Sequence, residues 1–199
     1  MKNRRKTSII CIRAKVKSPS QGREQGEDEI LVLRKVKMDY SYLRNGTDVR
    51  GIASEGVEGE TVDLTEEIAE KIAGAFCLWL QKKTGKSKVK IAVGHDSRIS
   101  ASALEKGIVA GITGTGNDAV RTGLSSTPSM FMLLQKPERE TDGSVMITAS
   151  HLPFNRNGLK FFTKEAGLEG AEVAEILSIA GTDFEKNAKK YTLRHMKEY

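Results

Sequence analysis

A serine, a histidine and a lysine lie close together in the segment MITASHLPFNRNGLKFFT, which runs from Met146 to Thr163. Ser150 and His151 are adjacent, and Lys160 follows a stretch of Pro, Asn and Gly residues. One chemistry that uses these residue types is phosphoryl transfer. In it a loop serine carries the phosphate, backbone N–H groups of a Gly/Asn-rich turn bind its oxygens, and basic side chains balance its charge. Lys160 and Arg50 are the candidate basic groups.

Other interpretations of the same residues stay open at this level. Ser150 followed by His151 could indicate a hydrolase, but adjacent side chains at a strand end usually diverge, and no Gly-x-Ser-x-Gly elbow is present. His95, His151 and Asp96 could bind a metal, although they lack the spacing of metal-binding helices and paired cysteines. In a purely structural interpretation the serine caps a turn, the histidine covers a strand end and the lysine is solvated.

The charge distribution along the chain argues against nucleic acid as a partner. The 199 residues carry a formal charge of +6, and 38% are hydrophobic, which is enough for one domain with a core. Residues 1–23 hold eight bases and no acid, whereas residues 24–185 hold 19 bases and 25 acids. Binding nucleic acid needs a basic face on the folded part. No apolar run is long enough to cross a bilayer, so we expect a soluble protein without a membrane partner.

The composition divides the chain into three parts. Residues 1–35 are predicted to be a basic leader and linker, residues 36–185 the folded domain, and residues 186–199 a basic tail or a link toward a second domain. The acid-free, Ser-containing start is typical of an organelle transit peptide, which suggests the plastid stroma. A disordered basic tail on a cytoplasmic protein is the alternative. Cys77 is predicted to be a core residue, and no disulfide framework is expected.

Strand and helix patterns alternate through the middle of the chain, which predicts a three-layer α/β/α domain. Ligands of such folds gather at the carboxyl ends of the strands, where Ser150, Asp96 and His95 are expected to lie. The predicted elements are a helix from Asp63 or Thr65 to Gly85, a strand over 89–93, a helix from Ser100 or Ser102 to Gly114 or Gly116, a strand over 119–124, a helix after Pro128, and a strand beginning after Gly143.

Four segments together resemble one family. TASHLPFNRNGLKFF is similar to the phosphoserine loop of the α-D-phosphohexomutases, which include the phosphoglucomutases and phosphomannomutases. The other three segments agree with family motifs in order and spacing; they are NGTDVRG (residues 45–51), VGHDSRIS (93–100) and SSTPSMF (125–131). The resemblance covers Tyr40 to Ala180 and corresponds to the first of the family's four domains, an α/β/α domain with a mixed sheet.

The resemblance implies a reaction and a role for each matching residue. Ser150 would carry the phosphate that moves between positions of a hexose phosphate, with a hexose 1,6-bisphosphate as activator. Lys160 would be the base, His151 would position the phosphate, and Arg50 and Thr47 would bind substrate. Mg²⁺ would contact the seryl oxygen of Ser150 or its phosphate. Asp96 and Arg98 are expected to form a supporting pair.

Two departures from the family pattern limit the prediction. Leu152 stands where many members have Asn, which leaves sugar specificity open. The family's Asp-Gly-Asp-Gly-Asp metal loop, its sugar-discriminating loop and its phosphate clamp have no counterpart in these 199 residues. The Mg²⁺ site would then be incomplete and the chain alone inactive. The alternative is an incomplete fragment that binds sugar phosphate or a partner, such as the missing domains of the same enzyme.

Overall fold

The computed structural model describes residues 11–14, 30–33, 38–182 and 193–195. The chain divides into two compact units, Met1–Met38 and Asp39–Tyr199. In the first unit, β1 (Cys11–Ala14) pairs antiparallel with β2 (Ile30–Leu33). No strand was predicted at residues 11–14 from the sequence. The role of this segment as a leader stays a prediction.

The second unit contains seven strands and four α-helices among its described residues. In chain order they are β3 (Arg44–Asn45), β4 (Asp48–Ile52), α1 (Glu66–Thr84), β5 (Lys90–His95), α2 (Ala101–Gly114), β6 (Asp118–Leu124), α3 (Thr127–Leu134), β7 (Gly143–Ile147), β8 (Arg156–Thr163), α4 (Gly170–Ala180) and β9 (Leu193–His195). None of these helices combines the length and apolar character needed to span a membrane.

The seven strands form one mixed sheet in the order β3-β4-β8-β7-β5-β6-β9. β7, β5, β6 and β9 are parallel, whereas β8 runs antiparallel to both of its neighbours, β7 and β4. The carboxyl ends of β5 and β7 therefore lie side by side, and the chain that leaves β7 returns through β8. This arrangement confirms the predicted α/β class with a mixed sheet.

Helices cover both faces of the sheet. Alternate strand residues such as Val145 and Leu159 point into the larger core, which α1, α2 and α4 share. The residues between them, including Met146, point to the opposite face, where Met130 and Leu133 of α3 form a smaller cluster. This alternation follows from the two-residue period of a strand, and it completes the predicted three layers.

The predicted ends of the first helix are confirmed. Thr65 precedes α1, and its side-chain oxygen accepts a hydrogen bond from the Ile68 N–H at 3.3 Å. Gly85 ends the helix with φ of +72°. Cys77 is fully buried, as predicted. Burial raises the pKa of its thiol to about 12, because the thiolate would lose its hydration in the core.

Two glycines of α2 allow it to pack unusually close to α1. A Cβ at Gly107 would collide with the backbone carbonyl oxygen of Glu66, and a Cβ at Gly111 with that of Glu70. The glycines are four residues apart and therefore lie on one face of the helix. The segment that contains them, GIVAGITGTG, thus serves helix packing.

Several strands and one helix were not predicted from the sequence. Arg50 is in strand β4, and Lys160 is in strand β8. Helix α4 and strand β9 were also not predicted. β9 extends the sheet next to β6.

We expect Gly111→Ala to destabilise the domain. Alanine favours an open helix over glycine by about 1 kcal/mol, so an unobstructed site would be stabilised. Here the new Cβ meets backbone atoms of α1 that cannot move aside, and overpacking of this kind costs about 1–3 kcal/mol. Urea denaturation of the purified chain would measure the free energy of unfolding.

Ser102→Ala is the matched control for this substitution. Ser102 is exposed on the same helix, and its replacement should leave the free energy of unfolding unchanged or slightly raised. If Gly111→Ala were as stable as Ser102→Ala, the close approach of the two helices would be contradicted.

Candidate active site

A cleft opens at the carboxyl ends of β5 and β7, where the sequence predicted a site. The two strand ends are joined by a hydrogen bond from the Asp96 N–H to the Ile147 carbonyl at 3.0 Å. The cleft has a volume of about 420 Å³. Its lining residues are Asp96, Ser97, Arg98, Ile99, Ser150, Leu152 and Phe154.

Ser150 has an unusual backbone conformation in this cleft. Its φ is +55°, a left-handed value that costs a non-glycine residue about 1 kcal/mol or more. The side chain is exposed, and the backbone N–H donates to Thr148 Oγ1 at 3.0 Å. Such strain persists only where surrounding contacts impose it, so the contacts of the connecting segment, residues 148–155 (the Ser150 loop), are decisive.

Arg98 holds the Ser150 loop through backbone carbonyl groups. Its Nη2 donates to the carbonyls of Ser150 at 2.8 Å and Leu152 at 2.7 Å. Its Nη1 donates to the carbonyls of Pro153 at 2.7 Å and Arg156 at 2.9 Å. These are charge-assisted hydrogen bonds, each stronger than a neutral one. One half-buried guanidinium therefore determines the path of the chain on both sides of Ser150.

Asp96 supports both Arg98 and the loop. Its Oδ1 accepts from the Arg98 N–H at 3.1 Å, and its Oδ2 lies 3.4 Å from Arg98 Nε. The same Oδ2 accepts from Thr148 Oγ1 at 2.6 Å. The predicted supporting pair of Asp96 and Arg98 is thus confirmed. Thr148 connects it to Ser150, because Thr148 Oγ1 also accepts from the N–H of Ser150.

Glu60 holds the other end of the loop. Asn155 Nδ2 donates to Glu60 Oε2 at 2.6 Å, and Arg156 Nη2 donates to Oε1 at 2.7 Å. The hydrogen bond from Asn155 is the largest cause that lowers the pKa of Glu60, with a further contribution from Arg156. A carboxyl with a lowered pKa stabilises the fold at neutral pH, and this contribution is lost as the pH falls through that lowered value.

The Asn side chains beyond Ser150 are bonded within the protein, and the binding of phosphate by backbone N–H groups of this segment stays a prediction. Asn155 is buried against Glu60, and Asn157 Nδ2 donates to Ser100 Oγ at 2.9 Å. The backbone N–H of Gly158 donates to the Asn157 side chain at 2.8 Å. These side chains join the loop to its neighbours, because each is buried and needs a partner.

The two candidate cations contact one carboxylate that was not predicted from the sequence. Lys160 Nζ donates to Asp48 Oδ2 at 2.6 Å, and Arg50 Nη2 donates to the same oxygen at 2.8 Å. Arg50 Nη1 also reaches the carbonyl of Thr148 at 3.5 Å, which leads toward Ser150. The two cations predicted to balance the charge of a phosphate are therefore joined through Asp48.

Strand register explains this meeting. Val49 of β4 pairs with Leu159 of β8, which places Asp48 across from Lys160. Asp48 and Arg50 are two residues apart on one strand and share a face. A Cβ at Gly158 would lie 2.7 Å from Arg50 Cδ, so this glycine leaves room for the arginine stem. The Asp-x-Arg spacing in NGTDVRG was the signal that could have revealed the pair.

The remaining residues named in the sequence analysis differ in their exposure and in whether they line the cleft. His151 follows Ser150 in the loop and is exposed. Thr47 is exposed in the two-residue turn between β3 and β4, beside Asp48 in the chain, and does not line the cleft. Leu152 is half-buried and lines the cleft beside Ser150.

The residues around Ser150 do not form a complete Mg²⁺ site. Mg²⁺ favours six oxygen ligands, and the described parts of the chain contain no group of three or more Asp, Glu, His or Cys residues that could hold a metal. This also removes support for a site of His95, His151 and Asp96. The Asp96 and Asp48 carboxylates are already bonded to Thr148 and to the two cations. Ser150 remains the one predicted contact for the ion.

Comparison with known proteins identifies the fold and the family. Residues 43–186 match the pattern described as "Phosphoglucomutase/phosphomannomutase, alpha/beta/alpha domain I". A solved structure of a phosphoglucomutase/phosphomannomutase family protein from Burkholderia thailandensis superposes with a TM-score of 0.62 at 23% identity, over 79% of this chain and 33% of that chain. A structure from Thermus thermophilus gives the same TM-score over 80% and 34%. At this identity the two structures show the fold alone.

Curated relatives give a closer match in sequence. A phosphoglucosamine mutase of Clostridium novyi is 40% identical over 144 residues, which are 70% of this chain and 29% of that protein. One from Desulforudis audaxviator is 41% identical over 118 residues, or 59% and 24%. The chain thus spans between about a quarter and a third of the length of the proteins it matches. It belongs to the phosphoglucomutase/phosphomannomutase family and contains that family's α/β/α domain I.

Proposed function

We propose that this chain is the phosphoserine-bearing domain of a phosphohexomutase, an isomerase that moves a phosphoryl group between positions of a hexose phosphate. The proposal rests on the exposure and the backbone conformation of Ser150. An exposed serine is held in a strained conformation at a cleft by four hydrogen bonds from Arg98. Strain of this kind is maintained where a side chain must be presented in one orientation.

The proposed step is a phosphoryl exchange at Ser150 Oγ. In one direction the P–Oγ bond breaks, a P–O bond forms to a hydroxyl of the bound hexose phosphate, and the proton of that hydroxyl ends on Oγ. The return step reverses this and leaves the phosphate on Ser150. Arg50 and Lys160 would balance the charge of the moving group, and Lys160 is the candidate to carry the proton. His151 would orient the phosphate, and Thr47 would contact substrate.

The names of the relatives narrow the proposed substrate. Both curated relatives described above are phosphoglucosamine mutases, so a glucosamine phosphate is the first hexose phosphate to test. Leu152 lines the cleft where many family members have Asn, which replaces a polar wall by an apolar one. Mg²⁺ and a hexose 1,6-bisphosphate remain the proposed cofactor and activator, and the remaining metal ligands would come from other domains of the enzyme.

A second candidate function is binding without turnover. The chain spans 29% of the Clostridium novyi relative, so the complete reaction is proposed for domain I acting together with other domains. The candidate without turnover is a module that binds hexose phosphate or those domains.

The proposed plastid location, with cytoplasm as the alternative, would be tested by fusing residues 1–30 to a fluorescent reporter.

The first test concerns Ser150 as the phosphate carrier. We expect a chimera, with this domain in place of domain I of a phosphoglucosamine mutase, to gain the mass of one phosphoryl group when incubated with a hexose 1,6-bisphosphate and Mg²⁺, because the other domains supply the remaining metal ligands. The Ser150→Ala chimera should gain none. Intact-protein mass spectrometry would measure the modification.

Ser97→Ala is the matched control, because Ser97 lines the same cleft. It should accept phosphate like the unchanged protein. Uptake by the Ser150→Ala chimera, or no uptake by the unchanged chimera, would contradict the proposed carrier. Phosphorylated Ser150 without turnover in the chimera would favour the binding module.

The second test concerns the positioning of Ser150 by Arg98. Arg98→Met keeps an apolar stem but leaves four carbonyls of the loop without their donor. We expect the loop to open locally, so that the amides of Leu152 and Arg156 exchange with solvent about tenfold faster or more. Hydrogen exchange followed by NMR would measure the rates.

Arg44→Met removes an exposed arginine of β3 and should leave these two exchange rates unchanged. Amides of the core strand β5 report on global stability in both variants. If the loop amides of Arg98→Met exchanged at the control rate, Arg98 would not determine the loop conformation.

A further inference from the structure

Asp48 is a buried carboxylate placed between the two cations that the proposed function assigns to phosphate. Its exposed fraction is 8%, and a single oxygen, Oδ2, accepts from both Lys160 Nζ and Arg50 Nη2. Both distances, 2.6 and 2.8 Å, are those of strong charge-assisted hydrogen bonds. Neither cation is fully buried, since 24% of the Lys160 side chain and 15% of the Arg50 side chain are exposed.

The Asp48 carboxylate has the chemistry of the ligand that these cations would bind. Phosphate oxygens and carboxylate oxygens are both anionic acceptors, and guanidinium and ammonium groups donate to either. The group carries two positive charges and one negative charge, so its net charge is positive. A phosphate that approaches from the open side meets cations that already hold an internal anion.

The location of this group separates it from the ordinary ion pairs of the domain. The pairs Lys86–Asp142 and Lys88–Asp118 lie at the amino ends of the strands, opposite the cleft. Asp48 and Lys160 lie on the sheet face that carries α3, which packs against β5, β7 and β8. Arg50 extends from this group to the carbonyl of Thr148, two residues before Ser150.

We propose that Asp48 is a positioning residue that occupies the place of a phosphate. Its carboxylate holds Arg50 and Lys160 in an orientation suited to an anion. When a phosphate group binds, the two cations exchange their hydrogen bonds to Asp48 for hydrogen bonds to the phosphate. The inference rests on the proposed function, in which these two cations receive the phosphate. The binding free energy of the phosphate is then reduced by the contacts with Asp48 that must be broken.

This arrangement has a consequence for selectivity. A monoanion such as chloride offers one charge and no second acceptor, so it cannot replace a carboxylate that is already bonded to both cations. A phosphate dianion offers more charge and several acceptor oxygens. Asp48 therefore makes the cation pair selective for dianions, at the expense of affinity.

The test measures the binding of inorganic phosphate to the 199-residue chain and needs no catalysis. NMR titration of the backbone amides of Arg50 and Gly158 gives a dissociation constant for this site, separate from anion binding at the basic ends of the chain. We expect Asp48→Asn to lower that constant about tenfold or more, because it removes a negative charge and a competitor within a few ångströms of the phosphate. Asn keeps the shape and an acceptor oxygen, so the cations retain a partner.

Asp118→Asn is the matched control. It makes the same change of residue and charge in a carboxylate paired with Lys88 at the opposite edge of the sheet, and should leave the constant unchanged. In the Lys160→Gln background, the effect of Asp48→Asn should shrink, since one of the two cations is gone. An unchanged or raised dissociation constant in Asp48→Asn would overturn the proposal.

If Asp48→Asn fails to fold, the proposal can still be tested by a measurement on the unchanged protein. The carboxyl ¹³C resonance of Asp48 should move on addition of phosphate, with the midpoint shown by the Arg50 amide. Saturation of the amide without movement of this resonance would also overturn the proposal. Loss of Ser150 phosphorylation with an intact phosphate response would instead contradict the proposed function alone.

Discussion

The rest of the site depends on the hydrogen bonds that the Arg98 guanidinium donates to four backbone carbonyls. The Ser150 loop runs between two strands and makes no ladder of its own, and its carbonyls at Ser150, Leu152 and Pro153 would otherwise need water. Arg98 satisfies them with a single rigid guanidinium, whose planar donors set the spacing of the acceptors. The left-handed conformation of Ser150 persists because the chain is held on both sides of it.

Arg98 is itself held by a short chain of contacts that ends at the same serine. Asp96 accepts from the Arg98 N–H and from Thr148, and Thr148 accepts from the N–H of Ser150. Glu60 fixes the far end of the loop through Asn155. Most of the hydrogen bonds of this segment are therefore structural, and Ser150 stays exposed at the cleft.

The antiparallel strand β8 also brings Asp48, Arg50 and Lys160 close to the Ser150 loop. β8 lies between β7, which delivers Ser150, and β4, which carries Asp48 and Arg50. Lys160 reaches Asp48 on the neighbouring strand β4, and Arg50 reaches the Thr148 carbonyl across β8. Gly158 makes this possible, because a Cβ there would collide with the Val49 carbonyl oxygen and lie 2.7 Å from Arg50 Cδ. The positive charge is thus positioned by the sheet, and the serine by the loop.

The sequence by itself determined the α/β class, both ends of the first helix, the burial of Cys77, the pairing of Asp96 with Arg98 and the delivery of Ser150 to a strand end. These features follow from periodicity, caps and strand ends, which are local in the chain. The meeting of Asp48 with Lys160, 112 positions away, and of Arg98 with carbonyls more than 50 positions away was decided by the tertiary structure. Strand order and register select such partners, and a local pattern does not contain them. For the same reason the hydrogen bonds of the Asn155 and Asn157 side chains to Glu60 and Ser100 were not predicted from the sequence.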